Sequence, residues 1–296
     1  MWGRGTEPRL HINIAQIGKP MSTGTSGPVS GPAPSEYHNP ADLAARAADT
    51  DVLLVLCDFD GCLAELAAAP ELVVPDRRAL MAIAALVQLS GTYTGVVSGR
   101  SLSDLRSVCP LRAPVALIGS HGAEFDSDLA IPSPVGVLDA ELAGVLGSLI
   151  AELSPMVAAL LGARLEVKPA SLAVHVRQVP AVSGARLLHW VEQVGQERGL
   201  RVMRGKAVVE LMLSAANKGD AVVALAAQTD ATSVVYVGDD VTDEDAFAVL
   251  GVKDVTVKVG SGPTIARYRL AGVSALSEFL MCLVAARESS RINRAC

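Results

Sequence analysis

One stretch constrains the fold more than any other. Residues Val52-Leu53-Leu54-Val55-Leu56-Cys57 are apolar without a break, and the run stops abruptly at Asp58. A surface helix would show a polar residue every third or fourth position, and a half-solvated strand would alternate. A short run apolar on both faces reads as a central strand of a parallel sheet covered by helices on each side. The flanking pattern agrees. A helix over 40–48 precedes the run, then helix 76–90 leads to strand 93–97 and helix 101–108 to strand 114–118. Further on, helix 217–228 leads to strand 233–237, and helix 243–250 to strand 254–259. This alternation predicts an α/β fold, a doubly wound parallel sheet. Aromatic residues make up only 3% of the chain while half of it is apolar, so Ala-rich helices are expected to pack closely on Val-rich strands.

Between 126 and 211 the grammar changes. A helix over 139–160, strands over 164–168 and 171–177, a helix over 183–198 and strands over 200–204 and 207–211 are expected. The short Pro169-Ala170 connection makes the first strand pair a hairpin, which identifies a small antiparallel α+β module inserted into the larger one. The expected organisation is a disordered tail over 1–40, a core domain from 41–125 plus 212–296, and a cap domain over 126–211. Residues 18–40, rich in Gly, Pro, Ser and Thr, carry the tail assignment, with Met21 an alternative start.

Charge and cysteine usage narrow the function. A net charge of −6 with no Lys/Arg run gives no attractive field for nucleic acid or an anionic membrane surface. Mean hydropathy is +0.38, yet no apolar stretch approaches the roughly 20 residues of a spanning helix, so the hydrophobicity belongs to the core. Arg4 and Arg9 are followed by no apolar segment of a secretory signal, and a cytoplasmic location is expected. Cys57, Cys62, Cys109, Cys282 and Cys296 are odd in number and contain no Cys-x-x-Cys pair, which indicates neither a disulfide framework nor a zinc site.

Ligands of a parallel sheet bind beyond the carboxyl ends of its strands, where strand order reverses. Asp58-Phe59-Asp60-Gly61 follows the first strand, Ser98-Gly99-Arg100 the second and Gly238-Asp239-Asp240 a later one, while Asn217-Lys218-Gly219 opens a helix. Taken singly, each is an ordinary turn, a surface lysine or an acidic helix start. Together and in this order they supply phosphoryl transfer: a carboxylate nucleophile, a second carboxyl to protonate the leaving oxygen, a cation, and donors for the phosphoryl oxygens. Asp58 and Asp60, two apart at a strand end, can face one pocket, and Asp239 and Asp240 can add hard oxygen ligands suited to Mg²⁺. Neither acidic cluster has the ligand spacing of an EF-hand.

These motifs, with Gly238-Asp239-Asp240-x-Thr242-Asp243-Glu244-Asp245-x-Phe247, resemble the four motifs of the haloacid-dehalogenase superfamily. The last stretch is similar to its trehalose-6-phosphate phosphatase branch. The resemblance implies a Mg²⁺-dependent hydrolase of trehalose 6-phosphate in trehalose biosynthesis, functionally linked to a trehalose-phosphate synthase. It implies that Asp58 is phosphorylated and Asp60 is the acid and base. Asp58, the Asp60 carbonyl and Asp239 would hold the metal, and Asp240 and Asp243 would orient the ligand sphere. Ser98 and Lys218 would bind the phosphoryl group. The inserted module resembles an αββαββ cap, and Arg100, His121, Glu166, Lys168, Arg177 and Glu210 are the candidates for substrate contacts. Two departures stand out: Cys62 replaces the family's usual Thr, and Ala64-Glu65-Leu66 replaces its small-residue, Pro, Ile run. A phosphatase of sucrose phosphate or a glycosyl-glycerate phosphate, and a catalytically silent sugar-phosphate binder, remain as alternatives.

Overall fold

The computed structural model describes residues 36–67, 70–126, 140–168 and 170–295, so most of the expected tail, residues 1–35, and Pro169 lie outside the described residues. The first stretch runs α1 (Pro40–Ala48), β1 (Leu53–Cys57), α2 (Arg77–Leu86), β2 (Thr92–Val97), α3 (Leu102–Val108), β3 (Ala116–Gly119) and β4 (Glu124–Phe125). There follow α4 (Ala140–Ala158), β5 (Arg164–Lys168), β6 (Ser171–His175), α5 (Ala181–Glu197), β7 (Arg201–Gly205) and β8 (Val208–Met212). The chain then runs α6 (Lys218–Gln228), β9 (Ser233–Gly238), α7 (Glu244–Val249), β10 (Val255–Val259), β11 (Tyr268–Leu270) and α8 (Val273–Ala295).

The apolar run is β1, buried at every residue and central in a seven-stranded sheet of order β11-β10-β9-β1-β2-β3-β4. All neighbours are parallel except β3 and β4. Leu53 sits opposite Thr92 on one side and Ser233 on the other. From β1 the chain moves outward through β2 and β3, and later from β9 outward through β10 and β11. Strand order therefore reverses between β1 and β9, and the carboxyl ends of β1, β2 and β9 converge.

Both faces of β1 are used, as a run without alternation requires. Leu53, Val55 and Cys57 belong to a core with Leu43 of α1, Ile83 of α2, and Leu276, Phe279, Leu280 and Leu283 of α8. Leu54 and Leu56 face Ala221, Val222 and Leu225 of α6 and Phe247 of α7. The helices begin where their side chains satisfy free amides. The Asn39 side chain accepts from Ala41 N at 2.9 Å ahead of Pro40, and Asp76 accepts from Ala79 N at 2.9 Å. Asn217 and Asp220 form a reciprocal box at the start of α6. Just before α1, His38 N donates to Arg269 O at 2.8 Å and its Nδ1 accepts from Arg269 N at 3.1 Å, so the chain is held against β11 from His38 onward.

Three elements were not expected from the sequence: β4, β11 and α8. The short strands are two and three residues long, below what periodicity reveals. In α8 the spacing of Leu276, Phe279, Leu280 and Leu283 is a helical core stripe. One turn further on lies Arg287, 1% exposed, which donates to Ala48 O at 2.9 Å, to Thr50 O, to Gly91 O at 2.9 Å and to Thr92 Oγ1 at 3.0 Å. This guanidinium ties α8 to the end of α1 and the start of β2. Arg287→Met is expected to lower the unfolding free energy by about 3 kcal/mol, because buried carbonyls lose their donors, while kcat is unchanged. Urea unfolding beside steady-state kinetics checks both halves.

Residues of α4 through β8 form a second, four-stranded antiparallel sheet of order β5-β6-β8-β7. Lys168 pairs with Ser171 at the end of the hairpin. Leu172, Val174, Val209 and Leu211 face Leu149 and Leu153 of α4 and Leu187 and Val191 of α5. Because side chains alternate, Glu166, Lys168, Ser171, Ala173, His175 and Glu210 share the opposite face. Among the described residues no helix is long and apolar enough to cross a membrane.

Candidate active site

The β1 ladder extends one residue past the strand, with Asp58 N donating to Val237 O at 2.8 Å, so the Asp58 side chain emerges where β1 and β9 end. The chain then folds back tightly, with Gly61 N donating to Ala64 O at 2.8 Å. Gly61 has φ +82°, and a Cβ there would lie 2.1 Å from Asp239 Oδ2. Only glycine both adopts that turn and lets the two strand-end loops approach.

Lys218, 2% exposed at the start of α6, places Nζ 3.0 Å from Asp58 Oδ1 and 2.7 Å from Asp243 Oδ1. Asp243 is fully buried and also accepts from Tyr236 Oη at 2.8 Å and from Asp240 N at 3.0 Å. Burial disfavours the charged form of Asp58 and the neighbouring Asp243 and Asp239 add to this; Lys218 opposes them, and the Asp58 pKa stands well above the carboxylate range. Asp239 is pushed up to about 6 by burial and then Asp243, against Lys218. Burial works against the Lys218 charge, but Asp243 and Asp58 outweigh it and hold its pKa above the usual lysine value.

Asp58 and Asp243 share the Lys218 ammonium and Asp239 adds a third carboxylate beside them, a concentration of negative charge that a divalent cation would neutralise. Asp58, Asp239 and Cys62 offer ligand atoms that all lie within 4.8 Å of one another. The carboxylate oxygens fit a hard divalent ion completed by water. Cys62 Sγ stands 4.0 Å from Asp239 Oδ1, where it is a weak donor to that carboxylate. Burial, reinforced by Asp58, raises the thiol pKa of both Cys57 and Cys62, which makes them buried hydrophobes rather than reactive thiolates.

Asp60 lies apart from this cluster in the contacts it makes. Arg100 Nε donates to Asp60 Oδ2 at 2.6 Å and Nη2 to Oδ1 at 2.7 Å, while Nη1 donates to Asp104 Oδ2 at 3.1 Å. Arg100, expected to touch substrate, is therefore engaged by two carboxylates. Ser98 is buried at the end of β2; its Oγ accepts from Arg100 N at 3.2 Å and its carbonyl from His121 N at 2.9 Å.

The polar face of the second sheet reaches these loops. Lys168 Nζ donates to Glu210 Oε1 at 3.0 Å and to Gly99 O at 3.2 Å. Glu210 also accepts from Ser171 Oγ, and His121 Nε2 is 3.9 Å from its other oxygen. Burial opposes the Glu210 charge, but His121 and Lys168 bring its pKa down to about 2. Glu166 pairs with His175 Nε2 at 2.7 Å, and this hydrogen bond, against burial, lowers its pKa. Asp240 is exposed and contributes its amide to Asp243. Arg177 is exposed in the turn after β6.

Several groups in this network were not read from the sequence. Lys258 is buried and its Nζ donates to the carbonyl of Asp239; a lysine within the otherwise uncharged Val-Thr-Val-Lys-Val of β10 was the available signal. Tyr236, inside an apolar strand, gave none.

A doubly wound sheet whose strand-end carboxylates meet at a buried lysine, accompanied by an antiparallel α+β sheet, is the architecture of haloacid-dehalogenase-type phosphatases. The family described as trehalose-phosphatase matches residues 56–274. The trehalose-6-phosphate phosphatase of Escherichia coli K12 is 33% identical over 242 residues, spanning 80% of this chain and 88% of that protein. A bifunctional trehalose-6-phosphate synthase/phosphatase of Thermoproteus tenax is 31% identical over 231 residues, which is 77% of this chain and 31% of that longer protein. A crystal structure of a trehalose-6-phosphate phosphatase related protein superposes with a TM-score of 0.67 at 25% identity, covering 80% of this chain and 99% of that one. The chain belongs to the trehalose-phosphatase family, and it is a phosphoric monoester hydrolase.

Proposed function

We propose that this enzyme hydrolyses trehalose 6-phosphate to trehalose and phosphate through a phosphorylated Asp58, with Mg²⁺ as its metal. The observation that carries the reading is the Asp58–Lys218 contact of 3.0 Å beside Asp239, at the point where strand order reverses. Asp58 attacks phosphorus as the bond to the sugar oxygen breaks, and Asp60 delivers a proton to that oxygen. Asp60 then takes a proton from water as the water attacks the phosphoaspartate, which releases phosphate and restores Asp58. Lys218 and Ser98 hold the phosphoryl group. Asp58, Asp239 and the Asp60 carbonyl would hold Mg²⁺, which when bound neutralises phosphoryl charge. Asp243 fixes Lys218, and the Asp240 amide fixes Asp243.

The segment 126–211 serves as the cap over the pocket formed by 41–125 and 212–296. Its polar face, with Glu166, Lys168 and Glu210, offers the paired donors and acceptors that sugar hydroxyls require, and His121 and Arg177 are the further candidates for substrate contact. The bifunctional relative supports a functional link with a trehalose-phosphate synthase.

A panel of sugar phosphates with purified enzyme and Mg²⁺ tests the assignment. Phosphate release is expected to be fastest from trehalose 6-phosphate and to stop on chelation of the metal. Faster release from sucrose phosphate or a glycosyl-glycerate phosphate would move the substrate, and binding without release from any of them would make the chain a silent binder.

A further inference from the structure

The bidentate contact between Arg100 and Asp60 has no role in the steps above. We propose that Arg100 is a positioning residue for proton transfer: its fork sets the plane of the Asp60 carboxyl relative to the oxygen that leaves. The inference rests on Asp60 as the acid and base.

Two parallel N–H···O bonds, 2.6 and 2.7 Å, define both the position and the plane of a carboxyl group, which a single contact to a lysine would not. The fork is itself rigidly mounted. Arg100 is 9% exposed, its N–H donates to Ser98 Oγ at 3.2 Å, and its carbonyl accepts from Ser120 N at 2.6 Å. Its guanidinium lies over the Phe59 ring, 5.7 Å from the centroid, between the two aspartates of the first motif. The second arm answers a specific difficulty. When Asp60 carries the proton it is neutral, and a buried guanidinium left without a counter-ion is costly. Asp104 on Nη1, at 3.1 Å, keeps Arg100 compensated through that half of the cycle. Arg100 itself gains and loses no proton. The proton goes from Asp60 to the leaving oxygen as the phosphorus–oxygen bond breaks, and a second one comes back to Asp60 from water.

Leaving-group dependence isolates this role from a structural one and from sugar recognition. The measurement is kcat/KM for a series of substituted phenyl phosphates with Mg²⁺, which covers only the steps through departure of the phenol. A good leaving group departs without a proton, whereas a basic one needs it. For Arg100→Ala, the loss is expected to be under about tenfold for p-nitrophenyl phosphate and about a hundredfold for phenyl phosphate. Asp60→Asn should show the same steepened dependence, and Arg100→Ala in that background should add none. Added guanidinium ion should restore part of the phenyl phosphate rate to Arg100→Ala. If that variant does not fold, Arg100→Lys, which keeps the charge and loses the fork, decides the matter through an intermediate slope. An equal loss across the series, or no loss at all, would overturn the proposal. Since no sugar is present, the result stands apart from the trehalose 6-phosphate assignment, which only the sugar phosphate panel can remove.

Discussion

Asp58→Asn is expected to lower kcat by about four orders of magnitude or more while raising, not lowering, the stability of the metal-free protein. The amide is the same shape but does not form the phosphorylated carboxylate. The stability half follows from the pKa. Burial first, then Asp243 and Asp239, raise the Asp58 pKa above its unfolded value despite Lys218. A carboxyl whose folded pKa is raised binds its proton more tightly in the native state, so ionising it at neutral pH costs stability. Asparagine removes that charge. Urea unfolding without divalent cation should therefore show a midpoint at or above that of the unaltered enzyme. Retained turnover would dismiss Asp58 as nucleophile, and lost turnover with a markedly lower midpoint would make it a structural residue instead.

That β1 is the centre of the sheet was legible because the run 52–57 is apolar on both faces, as a central parallel strand requires. The strand-end order of the motifs pointed to the contact of Asp58 with Lys218 and its closeness to Asp239. The partners inside the site were not legible. Nothing in the spacing of Asp60 and Arg100, 40 residues apart, distinguishes a guanidinium that touches substrate from one that holds a carboxyl. The link from Lys168 to Gly99 and from Glu210 toward His121 depends on how two sheets meet, and side-chain periodicity gives only the face on which a residue stands. The helix α8 was within reach of periodicity, yet its most consequential residue, Arg287, bonds to carbonyls more than 190 residues away. Cys62 shows a further limit. As a departure from the family's Thr it raised the reading of a silent binder, and the spacing gave no sign that the thiol faces Asp239 Oδ1 at 4.0 Å.

Lys218→Met is expected to remove activity and to destabilise the fold by about 3–5 kcal/mol, the cost of stranding buried charge. Lys218 is the one ammonium shared by Asp58 and Asp243, both within 3.0 Å of its Nζ and both buried. Methionine fills the space, but the carboxylates lose their counter-charge in a region closed to water. The residue that suffers most is Asp243, fully buried and left, among the described residues, with Tyr236 Oη and the Asp240 amide. Adding Asp243→Asn to Lys218→Met should therefore recover part of the lost stability, since the more deeply buried charge is then removed together with its partner while Asp58 stays without one, whereas Asp243→Asn alone leaves Lys218 paired with Asp58 and costs less. Activity is not recovered in the double variant, because the phosphoryl group still lacks the ammonium that draws charge from it. The double-variant cycle in urea, run beside turnover, separates the two duties of Lys218. Additive stability losses would show that Asp243 does not hold Lys218, and turnover restored in the double variant would show that the ammonium only holds the fold together.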